Sequence, residues 1–176
     1  MKSHPGGEAH SRRLISLAEL SRGERVLDMG AGAGETLSLL RSLGCEARGI
    51  DRAPRSPEVE RGDFLCAPYP DGSFDAVISQ CAFFVSGDQA GALREAYRLL
   101  RPGGKLLLSD LFYVPPETLL GEAGFALRHA ENLTAQWREY YLEALWRDEQ
   151  PCCEIPKGKG AYWLLIAGKD GKNGSL

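Results

Sequence analysis

Residues 25–36 read Arg25-Val26-Leu27-Asp28-Met29-Gly30-Ala31-Gly32-Ala33-Gly34-Glu35-Thr36. A short apolar run ends in three alternate glycines, and a helical pattern follows. The run is too short for a helix and reads as a buried strand. The glycines permit a tight turn and remove Cβ atoms that would keep a ligand off the backbone. In an open α/β sheet, this turn lies at the carboxyl end of the first strand, where such sheets bind ligands.

The same alternation continues on both sides of that segment. Thr36, Leu40 and Leu43 recur at helical spacing, with Gly44 as a stop. Strands are predicted at 46–50, 59–64, 74–79 and 105–109. Between the last two, Leu93, Ala96, Tyr97 and Leu100 form a helical stripe with Asp88 as its cap. Arg101-Pro102-Gly103-Gly104 reads as a type II turn. A helix over 8–21 precedes this unit. After it come a helix from Pro116 to Gly124, a strand at 125–131, a helix from Thr134 to Trp146 with Trp137, Tyr141 and Ala144 on one face, and an apolar strand at 161–167. Residues 169–176 read as a frayed tail. Strand–helix alternation of this kind predicts parallel βαβ units with helices on both faces.

Composition bounds what such a sheet can serve. The 176 residues suit one domain. Net charge is −3, which offers no bulk attraction to nucleic acid or an anionic membrane. No apolar run approaches the ~18 residues of a membrane helix, and the Met1–Gly7 start lacks a signal peptide's apolar stretch, so a cytoplasmic protein is expected. Its five cysteines are then expected as free thiols. Cys152 and Cys153 are adjacent, without C-x-x-C spacing or a histidine pair, so no metal site is expected. Glycine stands out at 21 residues, and the loop at 30–34 accounts for part of it.

Asp51 ends the second predicted strand, placed to accept hydrogen bonds from both hydroxyls of a ribose. A dinucleotide fingerprint begun at Gly30 would need glycine at 35, where this chain has Glu35. A carboxylate at a helix N-terminus suits a pyrophosphate poorly. The P-loop pattern is absent. A ligand with a cationic centre and an amino group fits these acids better.

Asp28-x-Gly30-x-Gly32-x-Gly34 resembles motif I of class I S-adenosylmethionine-dependent methyltransferases. Further segments are similar in the same order: Gly49-Ile50-Asp51, Gly62-Asp63-Phe64, Pro70 to Ser79 around Phe74-Asp75, and Leu99 to Leu108 around Pro102-Gly103-Gly104. The resemblance implies a Rossmann-like α/β fold: a seven-stranded sheet, mostly parallel with an antiparallel last strand and helices on both faces. It implies one domain over 1–176, with an N-terminal cap at 1–23, a cofactor-binding core at 24–113, an acceptor-side cover at 114–160 and the last strand at 161–168. The implied cofactor is S-adenosylmethionine, leaving as S-adenosylhomocysteine. Gly30, Ala31 and Gly32 would meet its methionine part, with Asp28 ordering the loop. Asp51 would bind ribose with Arg52 beside it, and Asp63 and Phe64 would bind adenine. Ser79 and Gln80 would lie beside the sulfonium.

The implied reaction is methyl transfer to a small-molecule acceptor by in-line displacement, driven mainly by positioning. His4, Gln80 and Tyr113 are the candidates for a catalytic role. Acceptor contacts are expected from Gln80, Cys81, Phe83, Phe84, Asp110, Phe112, Tyr113, Tyr140, Tyr141 and Trp146, whose aromatic content favours an apolar or planar molecule. A protein or RNA methyltransferase, and a non-catalytic cofactor-binding protein of the same fold, are the alternatives.

Overall fold

The computed structural model describes residues 4–149 and 159–170. Cys152, Cys153, Lys157 and residues 171–176 of the expected tail lie outside them. The elements in chain order are α1 (Gly7–Leu17), β1 (Arg25–Met29), α2 (Glu35–Ser42), β2 (Glu46–Asp51), β3 (Glu60–Arg61), β4 (Phe74–Gln80), α3 (Gln89–Leu99), β5 (Leu100–Phe112), α4 (Pro116–Glu122), β6 (Ala126–Asn132), α5 (Thr134–Trp146) and β7 (Ala161–Gly168). Single 3-10 turns at Phe64–Cys66 and Phe84–Ser86 flank β4.

The strands form one seven-stranded sheet in the order β3-β2-β1-β4-β5-β7-β6. β1 through β5 pair in parallel, and β7 is antiparallel to both β5 and β6. The order reverses at β1 and β4, which opens a crevice at their carboxyl ends. Strand periodicity sorts the core into two layers. Val26, Ala76, Ile78 and Leu107 face Leu14 of α1, Leu37 of α2 and Trp137 of α5. Leu27, Val77, Leu106 and Leu108 face Leu93 of α3 and Leu120 of α4.

Three local expectations need correction. The third strand is two residues rather than 59–64, because the Asp63 carboxylate accepts from the Leu65 amide and starts a 3-10 turn that sends Phe64 into the core. Arg101–Gly104 is a bulge inside β5 rather than a turn before it, since Leu100 already pairs with Phe74. The Gly103 amide, at φ +79°, donates to Lys169 O, and the Lys169 amide donates to Gly104 O. On α5 the buried residues are Trp137, Tyr140 and Ala144, and Tyr141 is half-exposed.

Candidate active site

The glycine loop is pinned to β2 before it reaches α2. The amides of Gly30 and Ala31 both donate to Ile50 O, at 2.9 and 3.2 Å. Gly30 has φ +89°, and a Cβ there would lie 2.3 Å from that of Ala82. Its glycine is therefore required by packing against the chain leaving β4, as well as by the backbone. Gly32, at φ +51°, directs its amide to Asp51 Oδ2 at 2.9 Å, and a Cβ would meet the Arg55 guanidinium. Asp51 Oδ1 accepts from the Ala53 amide at 2.8 Å. Each oxygen keeps acceptor capacity for a ligand.

Two lobes of one crevice meet at this loop. The larger, about 300 Å³, is lined by Asp51, Arg52, Phe64, Cys81, Ala82 and Val85 among others. The smaller, about 60 Å³, is lined by His4, Asp28, Ala31, Ala33, Glu35 and Thr36. Gly30, Gly32, Arg55 and Gln80 line both. The small lobe is acidic on one side and carries the Arg55 guanidinium on the other.

Asp28 is 4% exposed. Burial first, and then the nearby Asp51 carboxylate, push its pKa up to about 7. His4 is 7% exposed; burial outweighs the Pro5 carbonyl and Glu35 and lowers its pKa from the ordinary histidine value. Its Nδ1 is 3.1 Å from Pro5 O and its Nε2 is 3.2 Å from Ser11 Oγ. Ser11 and Thr36 in turn reach Gln80 Oε1 at 3.0 and 3.3 Å.

The crevice thus brings together Asp28, Gly30, Ala31, Gly32, Asp51, Arg52, Phe64, Gln80 and His4. It leaves out three residues. Ser79 is fully buried and donates to Met29 O at 2.7 Å, cross-linking β1 and β4. Asp63 faces Arg52 instead, at 2.7 Å, and that hydrogen bond and the one from the Leu65 amide hold its carboxyl below the usual range. Tyr113 lies outside both lobes, half-exposed, with its ring 5.7 Å from that of Phe84. Among the expected acceptor residues, Phe83 and Phe112 are core, Asp110 is buried and accepts from the Phe84 amide, and Trp146 is fully on the surface. Arg55, Ser11, Thr36, Ala82 and Val85 were not expected. Ser11 alone left a trace, as a polar residue within the buried stripe Gly7, Ser11, Leu14, Ile15 of α1.

Cys81 follows Gln80 with φ +56°, a conformation that costs a non-glycine residue of order 1–3 kcal/mol. That kink lets Gln80, Cys81 and Ala82 all line the larger lobe. Among the described residues no cluster of three histidine, cysteine or acidic side chains is arranged to hold a metal ion, and no helix is long and apolar enough to cross a membrane.

A doubly wound sheet with β7 inserted antiparallel, and a glycine loop and acid at its switch point, defines the class I methyltransferase fold. Within the chain, residues 27–108 match a family model described as a methyltransferase domain. The chain is 35% identical over 126 residues to a demethylmenaquinone methyltransferase of Thermus thermophilus, covering 62% of this chain and 57% of the relative. It spans about half the length of the curated relatives it matches. In structure it resembles phosphoethanolamine N-methyltransferase 2 of Haemonchus contortus, solved with S-adenosyl-L-methionine, with TM-score 0.75, 19% identity and coverage of 96% and 54% of the two chains. It also resembles the [4+2]-cyclase SpnF, with TM-score 0.74, 21% identity and coverage of 91% and 79%. The fold hosts more than one chemistry, so function has to be argued from the site.

Proposed function

We propose that this chain is an S-adenosylmethionine-dependent methyltransferase of a small-molecule acceptor. The observation that carries this reading is the division of chemistry between the two lobes. The larger offers a carboxylate at Asp51 for a vicinal diol and the Phe64 ring for a base. The smaller offers Asp28 and Glu35 for an ammonium and Arg55 for a carboxylate. A ligand with a nucleoside at one end and an amino acid at the other matches that division, and S-adenosylmethionine is such a ligand.

When bound, the cofactor supplies an activated methyl group on a sulfonium. The chain's own residues bind and orient. Gly30 and Gly32 let the backbone approach, and Asp51 holds the ribose with Arg52 at its side. Phe64 packs on the adenine. Asp63 acts one step back, by fixing Arg52. Gln80 sits where the lobes join, beside the reacting centre. His4 shields the small lobe from solvent, and no residue is assigned as a general base. Val85 at the cavity rim, with Tyr113 and Val114, presents half-exposed apolar surface that suits a flat, apolar acceptor. The likeness to a demethylmenaquinone methyltransferase supports such an acceptor.

Isothermal titration with S-adenosylmethionine and S-adenosylhomocysteine tests the cofactor. Micromolar binding of both is expected, and no binding of either at millimolar concentration overturns the reading. Transfer of labelled methyl to a panel of quinols, phenols and amines, against tRNA and protein substrates, tests the acceptor. Labelling confined to the macromolecules overturns that part.

A further inference from the structure

The hydrogen-bond network at the junction of the lobes does not close in one protonation state. Ser11 has one proton. If it donates to Gln80 Oε1, its 3.2 Å contact with His4 requires a proton on His4 Nε2. The Pro5 carbonyl can only accept, so the 3.1 Å contact requires a proton on Nδ1 as well. His4 is then an imidazolium, and the Gln80 amide nitrogen is left buried with no partner among the described residues.

A neutral His4 with its proton on Nδ1 resolves this differently. Pro5 O is satisfied, and Nε2 accepts from Ser11. The Ser11 oxygen must then be met by a donor. Turning the Gln80 carboxamide over supplies it, because its two N–H groups donate to the two hydroxyl oxygens, Ser11 and Thr36. The carbonyl oxygen now takes the place of the unpartnered nitrogen, at the residue that lines both lobes.

We infer that His4, acting through Ser11, sets which end of the Gln80 carboxamide is tied to α1 and α2 and which is left buried without a partner at the lobe junction, and so how strongly the site prefers a sulfonium over a neutral sulfide. This rests on the cofactor reading above. A carbonyl oxygen beside the lobe junction attracts the cationic sulfonium and the polarised hydrogens of its methyl group. It has no such hold on S-adenosylhomocysteine. An N–H donor in its place repels the cation. His4 is a positioning residue here, and product release benefits from the distinction.

His4 has other charged neighbours: His10 on α1, Asp28 on β1, Glu35 on α2, and Arg55 from the strap after β2. Of these, Asp28, Glu35 and Arg55 line the small lobe, which takes the amino-acid end common to cofactor and product. Their charges also act on the sulfonium, so the share of the pH dependence that belongs to Gln80 is the part removed with the Ser11 hydroxyl.

The test measures both affinities by titration calorimetry from neutral to acidic pH. In the wild type, preference for S-adenosylmethionine over S-adenosylhomocysteine should fall roughly tenfold as pH drops through the His4 titration, a charge-assisted hydrogen bond being at stake. In Ser11→Ala the slope should shrink, and in Ser11→Thr, which keeps the hydroxyl, it should return. A flat wild-type ratio, or an unaltered slope in Ser11→Ala, overturns the inference while leaving the cofactor reading intact. Binding of neither ligand overturns both. Nitrogen NMR of the ligand-free protein gives a second readout: His4 should be the Nδ1–H tautomer at neutral pH, and the Nε2–H tautomer overturns the inference.

Discussion

Two aspartates on neighbouring strands of one sheet have opposite fates. Asp75, near the start of β4, is partly buried, yet the Arg25 amide and the guanidinium groups of Arg101 and Arg25 outweigh that burial and hold its carboxyl down at about 2. Asp28, near the end of β1, has no such partners among the described residues and is pushed up to about 7. The contrast extends to everything around them. At the amino ends of the strands there is a cleft of about 570 Å³, larger than the crevice, lined by Arg25, Arg41 and Arg48. Each of those cations is already paired, with Asp75, Glu58 and Glu60 respectively. At the carboxyl ends, the crevice holds a buried acid unpaired among the described residues, a kinked Cys81 and a hydrogen-bond network that leaves one polar atom of Gln80 without a partner there. Size is therefore a poorer guide to the site than unfinished chemistry. The strands separate the two roles along their axis: one end is satisfied and stabilises, the other is left unsatisfied for a ligand.

Substitutions at each end should sharpen that contrast or break it. The largest effect is expected for Gly32→Val, which places a branched side chain in a left-handed backbone position and against Arg55. Cofactor binding should vanish from calorimetry while the circular dichroism spectrum stays that of the wild type. Retained binding would remove the loop from the site. Asp28→Asn should make the ligand-free protein more stable at pH 8, by at most about 4 kcal/mol. The sign follows from the raised pKa: the folded state holds its proton more tightly, so stability is full below pH 4 and is lost as pH rises through about 7. The gain in denaturant midpoint should accordingly vanish toward pH 4, and the same variant should bind cofactor more weakly. An Asp28→Asn variant less stable than the wild type at pH 8 would erase the contrast between the two ends.

Asp51→Ala should cost about 1–3 kcal/mol of cofactor affinity, the scale of a hydrogen bond to a charged group. Unchanged affinity by titration would mean the ribose lies elsewhere. Asp75→Asn should be the mirror image of the Asp28 change, a loss of about 1–2 kcal/mol at pH 7 with cofactor affinity untouched. Because the carboxyl is depressed, that loss should shrink as pH falls below 4 toward 2, which urea melts across that range would show.

Much of this is legible in the chain itself. β1, β2, β4 and β7 fall within a residue or two of their predicted limits, because β1, β4 and β7 are short, largely apolar runs and β2 ends at Gly49-Ile50-Asp51, a local signal of its own. β3 escapes such a reading because its two residues are exposed and polar, and an Asx-type cap at Asp63 wins over extended pairing. Asp28, Gly32 and Asp51 can be placed from spacing within one βαβ unit. Ser79 cannot, since a serine ending a strand reads the same whether it faces a crevice or ties to Met29. Nor can the Ser11–Gln80 contact, which joins residues 69 apart and depends on how α1 lies across the ends of β4 and α2.

The insertion of β7 between β5 and β6 also fixes an order of events in time. Among the described residues β6 has no sheet neighbour other than β7, so residues 126–132 find their partner there only once residues 161–168 have been synthesised. During translation β1, β2, β4 and β5 can assemble the crevice side first, while β5 waits with one bare edge. A bare strand edge is a template for pairing with other chains. The late strand is thus the chain's own cover for that edge, and a nascent chain stalled before residue 161 would carry a formed glycine loop on a sheet prone to aggregate.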